Sequence, residues 1–522
     1  MWRFARKVDQ WRKNYHPFKE DPESYFTARL FISDLQDGER MIVILNPQQA
    51  MAYGITVHNK VEIITLEWES IVADVSFSEH VTIWTVAVSD EMAKKYNFKS
   101  LDMVGISLTE SKSATNEAIR KKMRWEKISY DEIYTIIKDI SENKLDDIMM
   151  TYYVASSFFY PTTDEETYLT AKAMAECGVM FKYPEGEIIA DKHCIWWVPG
   201  NETTMALIPL IASFWIKIPK NFSKSITSPA ATGECVNVLM DINFDKKGIE
   251  NLVEKVNCCL VWWWWLDLAP ADDKLIKVQY PLSIQSRAKV VSSIMAKKYA
   301  MGITHSLIDI PVGPTAKVTT MSEAKDWKKK FEYVGEKLGM KMSVQITKAN
   351  EVIGNWVWAC LQVREVLRIL QQHPDRAKDL EDKIIFLWGK LIENVGLSKW
   401  KYAQALAKHQ LESGAAWKKM QEIIEAQGWN PNIDSESIEL GKYTYDVIAN
   451  KAWKLKSMDL HDINAICRKL WCPVINQAWM YLYKKLWDNI KKWDVICRLY
   501  AQDETKLKFW IERFKEKSPF VY

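Results

Sequence analysis

The sequence is short of glycine and has no long apolar run. Its 522 residues contain 18 glycines, whereas average usage of about 7% predicts roughly 37. Proline and polar residues interrupt the longest apolar segment, 204–218, so no stretch of 18 apolar residues occurs and a membrane-spanning helix is not expected. The N-terminal segment is charged and lacks an apolar core, so a signal peptide is not expected either.

Disulfides and an extended charge field are also not expected. The nine cysteines are odd in number and show no regular C-x-x-C spacing, which argues against a disulfide framework and a zinc ribbon. The 70 basic and 67 acidic side chains give a formal net charge of +3. This near balance excludes the extended positive potential that binds a nucleic-acid polymer, but it allows a local basic pocket for a small anion. We expect a cytoplasmic protein of roughly two to four domains, with no membrane partner.

Tryptophan is abundant where glycine is scarce. Of the 25 tryptophans, many stand where local chemistry favours glycine: Trp429 follows a helical stretch, and Trp487 and Trp493 lie in predicted turns. Four consecutive indoles, 262–265, cannot all be buried in one regular element. One interpretation is a protein that stacks ligands on aromatic surfaces. We favour another, in which the source reads UGA as glycine and a standard translation writes tryptophan.

This recoding hypothesis predicts which positions carry glycine in the native protein. Adding 18 positions to the 18 glycines present gives 36, close to the expected usage. Trp262 and Trp417 are interpreted as true tryptophans. The predicted glycine positions are 68, 84, 125, 196, 197, 215, 263, 264, 356, 358, 388, 400, 429, 453, 471, 479, 487 and 493.

The hydrophobic pattern divides the chain into four predicted domains. Residues 1–110 contain five short strand-like runs, all within 25–110 and separated by turn residues, which predicts a β-rich domain. The periodicity then becomes helical, and 111–185 with part of 279–300 form a predicted helical domain. Strands and helices alternate over 186–430, as is typical of an α/β domain, and short strand and turn units form a fourth predicted domain over 431–522.

The segment 191–204 carries the strongest chemical signal. With glycine at 196 and 197 it is D-K-H-C-I-G-G-V-P-G-N-E-T-T. A glycine pair after a lysine lets backbone N–H groups close on an anion while the ammonium group neutralises it. A structural tight turn can have the same composition. Alone, the motif therefore indicates either an anion site or a turn.

Further motifs in the same order make the chain similar to the thymidine phosphorylase family, nearest to the long-chain branch that includes AMP phosphorylase. The resemblance covers nearly the whole chain from about residue 25. It implies an α/β plus α fold, with a helical domain beside a large α/β domain, a C-terminal α+β domain and an added N-terminal β domain. It also implies a homodimer with a closing cleft. The motifs are IPKNFSKSITSPAATGE (218–234), LAPADD (268–273), SSIMAKKYAMG (292–302), LIDIPVGPTAKV (307–318) and ESGAAWKKMQEIIEAQG (412–428).

The resemblance implies a role for each matching residue. Lys192 and His193 are the implied catalytic residues: Lys192 contacts phosphate and His193 faces the pyrimidine ring. Cys194 stands where many relatives have a phosphate-binding serine. For any one hydroxyl residue, a helix cap or turn role is the alternative. The implied hydroxyl donors to phosphate are Thr204, Ser223 and Thr232. The implied substrate-binding residues are Trp197, Lys224, Ser225, Thr227, Ser228, Ser293, Lys297 and Lys317.

The implied reaction is phosphorolysis of thymidine to thymine and 2-deoxyribose 1-phosphate, without a cofactor or metal. Tyr280 occupies the place where thymidine phosphorylases commonly have a base-binding arginine. Gln285 stands where AMP phosphorylases have an aspartate proposed as proton donor, and an amide cannot protonate adenine. We therefore prefer a pyrimidine nucleoside to AMP, whose products would be adenine and ribose 1,5-bisphosphate. A non-catalytic binding protein of the same fold is the second alternative.

Overall fold

The chain has a mixed α/β architecture and divides into two compact units. The first unit is Met1–Pro161 with Pro270–Gln285, and the second is Thr162–Ala269 with Ser286–Tyr522. The predicted mixed class is therefore confirmed, whereas the division into four domains stays a prediction. The computed structural model describes residues 25–36, 41–57, 59–65, 70–109, 113–159, 162–195, 198–224, 231–262, 266–279, 286–357, 359–469, 479–516 and 518–521.

The first unit contains a closed barrel of six strands, followed by helices. The strand order is β1-β5-β2-β4-β3-β6, and alternate residues such as Val61 and Ile63 fill its core. The sequence predicts five of these strands and misses β4, which carries Asp74 in an ion pair with Lys60 at 2.7 Å. The elements are β1 (Tyr25–Ser33), β2 (Ile42–Leu45), α1 (Pro47–Ala52), β3 (Lys60–Ile64), β4 (Ser70–Phe77), β5 (Thr85–Ser89), α2 (Asp90–Lys95), β6 (Met103–Leu108), α3 (Ser113–Met123), α4 (Tyr130–Ser141) and α5 (Asp147–Phe159).

The next part of the chain alternates helices and strands, as the sequence predicts. Helix α10 belongs to the first unit and the other elements to the second. The elements are α6 (Asp164–Glu176), β7 (Ala190–Cys194), α7 (Thr203–Ala212), β8 (Ile218–Phe222), α8 (Thr232–Val236), α9 (Lys246–Val256), β9 (Cys258–Trp262), α10 (Pro270–Gln279), α11 (Arg287–Ala300), β10 (His305–Val312), α12 (Met321–Lys337) and β11 (Lys341–Lys348).

Five parallel strands of the second unit share one direction. β10 pairs with both β11 and β7, and β8 pairs with β9. A parallel bridge between Ile189 and Lys217 joins β7 to the start of β8. The resulting order is β11-β10-β7-β8-β9, with every carboxyl end on the same edge. Open parallel sheets bind ligands at this edge. Helix α7 packs beside the sheet with all ten residues buried, as its apolar sequence predicts.

The remainder of the second unit adds helices and a small antiparallel sheet of order β12-β16-β18-β13. The pattern of short strands and turns does not predict α17 and α18. Among the helices that the structure describes, none has the length and apolar character needed to cross a bilayer. The elements are β12 (Trp356–Val357), α13 (Ala359–Leu370), α14 (Lys378–Val395), α15 (Trp400–Glu412), α16 (Ala415–Ala426), β13 (Tyr443–Ile448), β14 (Trp453–Lys454), β15 (Ser457–Met458), α17 (Leu460–Lys469), β16 (Trp479–Leu482), β17 (Asn489–Ile490), β18 (Val495–Ala501), α18 (Glu504–Glu516) and β19 (Phe520–Val521).

Several tryptophans have left-handed backbone conformations that favour glycine. The turn positions predicted at Trp487 and Trp493 have φ of 73° and 78°. Trp429 lacks the positive φ expected for it, because Gly428 supplies the left-handed residue there with φ of 89°. Trp388 is fully buried in a helix interior. The other tryptophans with left-handed φ are Trp84, Trp125 and Trp215.

Candidate active site

The predicted phosphate-binding residues come from the ends of two parallel strands. Lys192, His193 and Cys194 are the last three residues of β7, and Ser223 and Lys224 directly follow β8. Because both strands run in the same direction, the structure brings these residues to one edge of the sheet. This edge is where an open α/β sheet forms its ligand site.

Lys192 holds its ammonium group in the protein interior. Its side chain is fully buried, and Nζ donates to Thr203 Oγ1 at 2.6 Å and to Thr204 Oγ1 at 3.2 Å. An ammonium group has three hydrogens, so one remains for a ligand. Burial lowers the pKa of Lys192, although nearby Cys194 and Asp309 oppose this shift. A bound anion would compensate the buried charge.

The loop of residues 198–202 is fixed by a second loop from a distant part of the chain. Ile353 N donates to Pro199 O at 3.1 Å. Gly200 has φ of 76°, and a Cβ there would lie 1.8 Å from Ile353 O. Glycine is therefore required at this position by both conformation and space. The predicted loop glycines at Trp196 and Trp197 lie outside the residues that the structure describes.

Glu202 and Thr232 connect this loop to α8. Thr232 Oγ1 donates to the Glu202 carboxylate, at 3.2 Å from Oε1 and 3.4 Å from Oε2. Helix α8 lies against the end of β8, since a Cβ on Gly233 would be 2.9 Å from Ser223 O. The structure thus brings Thr232 and Ser223 into the same region. Burial raises the pKa of Glu202 to about 7, while Lys192 opposes this shift.

His193 lies among four lysines. Burial lowers the pKa of its imidazole well below the usual value, and the charges of the lysines lower it further. The ring is therefore neutral near pH 7 and is suited to hydrogen bonding rather than to donating a proton to a substrate. The four lysines are Lys298, Lys220, Lys192 and Lys297.

A buried ion-pair group joins α11 to β7. Asp191 pairs with Lys298 of α11 and with Lys220 of β8, the latter at 3.0 Å. Burial alone would raise the pKa of Asp191, but the two lysines lower it. The residue directly before Lys298 on α11 is Lys297, whose Nζ lies 3.4 Å from Ser293 Oγ. The structure therefore places the two residues implied in base binding side by side, on the helix that Asp191 anchors.

The remaining predicted residues are less closely grouped. Asn201 Nδ2 donates to Cys194 Sγ at 3.4 Å, and Lys317 is exposed on the loop after β10. One group in the described part of the chain, Asp459 with His461 and Asp462, has metal-ligand geometry. However, Asp459 already accepts from the backbone N–H groups of the other two. The predicted site residues outside the described ranges are Trp197, Ser225, Thr227, Ser228, Tyr280 and Gln285.

Sequence reasoning missed three residues of this site. Glu202 and Thr203 lie in the predicted motif, so a signal was present in the segment GNETT. Asp309 of β10 had no local signal, because its role depends on its strand neighbours. It is fully buried, accepts from Thr347 Oγ1 at 2.6 Å, and lies 3.0 Å from Lys383 Nζ.

Comparison with known proteins identifies the family. A protein of Bradyrhizobium diazoefficiens named "Putative thymidine phosphorylase" is 38% identical over 388 residues, which is 74% of each chain. The AMP phosphorylase of Thermococcus kodakarensis is 35% identical over 480 residues, 92% of this chain and 94% of that protein. The AMP phosphorylase of Methanosarcina barkeri is 34% identical, with the same coverage. This chain belongs to the thymidine phosphorylase and AMP phosphorylase family.

Comparisons with family models and solved structures give no further support for this family assignment. No family model matches the chain. The solved anthranilate phosphoribosyltransferase of Thermus thermophilus is 13% identical, with a TM-score of 0.48 over 59% of this chain and 99% of that one. This similarity is too low to support a conclusion about the function of this chain. The resemblance seen in the sequence motifs is thus confirmed by relatives that cover most of the chain.

Proposed function

We propose that this protein cleaves the glycosidic bond of a pyrimidine nucleoside with inorganic phosphate. The preferred reaction converts thymidine and phosphate to thymine and 2-deoxyribose 1-phosphate. The observation that carries the proposal is the buried ammonium group of Lys192, which retains a hydrogen beside two threonine hydroxyls at the carboxyl edge of the sheet. Family membership supports the reaction class.

The chemistry requires phosphate to be held in line with C1′ of the sugar. A phosphate oxygen forms the new bond to C1′ while the C1′–N bond breaks and its electron pair moves to the base. Lys192, Thr203 and Thr204 would hold the phosphate. Lys297 and the neutral His193 would donate hydrogen bonds to the base oxygens as negative charge develops there. The base then takes a proton from phosphate or water.

The two substrate classes are separated by a phosphorolysis panel. Thymidine, uridine, cytidine and AMP are each incubated with phosphate and the full-length protein that carries glycine at the 18 predicted positions, and the free bases are measured by chromatography. We expect thymine to be released in a phosphate-dependent reaction. Release of adenine but not thymine would establish the AMP alternative. No turnover of any of the four would favour the non-catalytic binding protein.

One residue outside the described ranges disfavours AMP as the substrate. Gln285 replaces the aspartate proposed as proton donor in AMP phosphorylases, so the enzyme would lack that acid. A Gln285→Asp variant gives a direct test in the same panel. We expect it to leave thymidine phosphorolysis largely unchanged. A gain of adenine release from AMP would show that this position selects the substrate.

A further inference from the structure

Each threonine hydroxyl group at the candidate phosphate site has one hydrogen, so it can donate only one hydrogen bond. Thr203 and Thr204 accept from Lys192, so their own hydrogens remain for an anion. Thr232 differs, since it donates to the Glu202 carboxylate at 3.2 Å. With an ionised Glu202, the hydrogen of Thr232 is already used and cannot bind phosphate.

We propose that Glu202 takes up a proton from solvent when phosphate binds, and that it then donates to Thr232 Oγ1. This reversal frees the hydrogen of Thr232 to donate to the anion, and it removes a negative charge beside the ligand. Glu202 acts through Thr232 and is a positioning residue. The proposal rests on the proposed function, because it requires that this site binds phosphate.

The surroundings of Glu202 make this protonation accessible near neutral pH. The residue is 5% exposed. Burial raises the pKa of its carboxyl group to about 7. Lys192 of β7 opposes the shift, as do the hydrogen bonds that the carboxylate accepts from Thr232, the Met205 N–H and the Cys235 thiol. Helix α8 presents the Cys235 thiol, whose pKa burial raises well above the usual value, and Glu234 and Cys360 add to that shift. Lys192 is thus the cation that faces the carboxylate, and an approaching anion would compete for it.

The test uses sulfate as the probe, because sulfate has the shape of phosphate but does not titrate near neutral pH. Binding to the full-length protein is measured by calorimetry at pH 6.5 to 8.5, in two buffers of different ionisation enthalpy. The difference between the buffers gives the number of protons taken up. At pH 8 we expect an uptake of nearly one proton, with affinity falling about tenfold per pH unit above pH 7.

Two variants assign this uptake to one carboxyl group. Glu202→Gln keeps the shape, and its amide can donate to Thr232 as the protonated acid would. It should bind sulfate without proton uptake and with little dependence on pH. Glu234→Gln is the matched control on α8, since the Glu234 carboxylate accepts from Ala231 N at 2.8 Å. It should retain the uptake of the unmodified protein.

The outcomes separate the inference from the function on which it rests. Sulfate binding without proton uptake in the unmodified protein, or equal uptake in Glu202→Gln, would overturn the role of Glu202 and leave the phosphate site standing. If neither sulfate nor phosphate bound to folded protein, the phosphate site itself would be wrong. Circular dichroism of each variant checks that it is folded.

Discussion

The ammonium group of Lys192 is buried, and it donates to two threonine hydroxyls. Because these hydroxyls are neutral, an anionic ligand would compensate its positive charge. Replacing Lys192 with alanine should impair phosphate use, because a charge-assisted contact to a desolvated anion is lost. The expected loss in transition-state stabilisation is roughly 2–4 kcal/mol, or about 30- to 1,000-fold in kcat/KM for phosphate. Initial rates against phosphate concentration measure this loss.

Lys408→Ala is the matched control for Lys192→Ala, since Lys408 is an exposed lysine on α15 that pairs with Glu412 at 3.7 Å. Exposed pairs contribute little, so this variant should keep the kinetics of the unmodified protein. If Lys192→Ala also stayed within about threefold for phosphate, then the assigned site would be incorrect.

The left-handed tryptophans bear on the recoding hypothesis. Trp215 and Trp493 have φ of 62° and 78° and are 79% and 70% exposed. Changing either to glycine should raise the free energy of unfolding by about 1 kcal/mol, because strain is relieved and little buried surface is lost. Trp327→Gly is the contrasting variant, since Trp327 is 4% exposed within α12. It should destabilise by roughly 3–5 kcal/mol, measured by urea denaturation.

The gene and the native protein test the same hypothesis independently. UGA is expected at the 18 predicted glycine positions, and UGG at Trp262 and Trp417. Mass spectra of native peptides spanning 191–204 should show two glycines at 196 and 197. UGG codons at these two positions would contradict the hypothesis. The buried Trp388 is the predicted glycine position with least support from the structure, because its indole fills the helix core beside Phe214.

At the scale of elements, the loop 198–202 depends on close backbone contact. Gly200→Ala should place a Cβ 1.8 Å from Ile353 O, in addition to the strain of its left-handed φ. We expect a loss of at least about 3 kcal/mol in unfolding free energy, together with loss of sulfate binding. Gly339→Ala is the control, with φ of 78° and nothing within 4 Å of the added atom.

The control separates strain from steric contact. Gly339→Ala should cost about 1 kcal/mol, which is the strain of the left-handed conformation alone. Thermal unfolding and calorimetric binding measure both variants. Equal losses for the two variants would mean that the contact between the loops is unimportant for stability.

The elements also show how far the sequence could be interpreted. The sequence predicts Lys192, Thr204, Ser223 and Thr232 as site residues because each lies in a short recognisable motif. The structure places them at or near the carboxyl ends of β7 and β8. Asp309 was not predictable, since its position opposite Cys194 arises from the pairing of β10 with β7. Strand β4 was missed because its ion-paired Asp74 interrupts the apolar pattern. Local patterns therefore identify strand ends, but not which strands become neighbours.

At the scale of the whole molecule, buried acids set the pH dependence of stability. Burial raises the pKa of Glu365 to about 8 and that of Glu202 to about 7. The folded protein therefore holds protons that the unfolded chain releases above about pH 4.5. His193, whose pKa is lowered, acts in the opposite direction below about pH 6.5. Stability should therefore fall as pH rises from about 6.5 to 8, by up to about 1.4 kcal/mol per pH unit for each glutamate still protonated in the folded protein.

Urea denaturation at pH 6.5 and pH 8 measures this effect. Glu365→Gln should flatten the slope, because it removes the acid with the higher pKa. The Glu365 carboxylate accepts from Asn355 N at 3.0 Å, and an amide oxygen can keep that bond. Exposed Glu412→Gln should leave the slope unchanged. A slope that is identical in all three proteins would assign the pH dependence to other groups.

The contact between Gly200 and Ile353 has a consequence for how the protein is made. These residues are separated by more than 150 positions, so a ribosome must synthesise the later segment before the earlier loop can close. Strand β7 and helix α7 can form in the nascent chain. The loop 198–202, however, reaches its final conformation only after the segment with Ile353 has emerged from the ribosome. A chain that ended after β10 would contain Lys192, Thr203, Thr204 and Thr232, which we propose hold phosphate, and would still lack the closed loop around them.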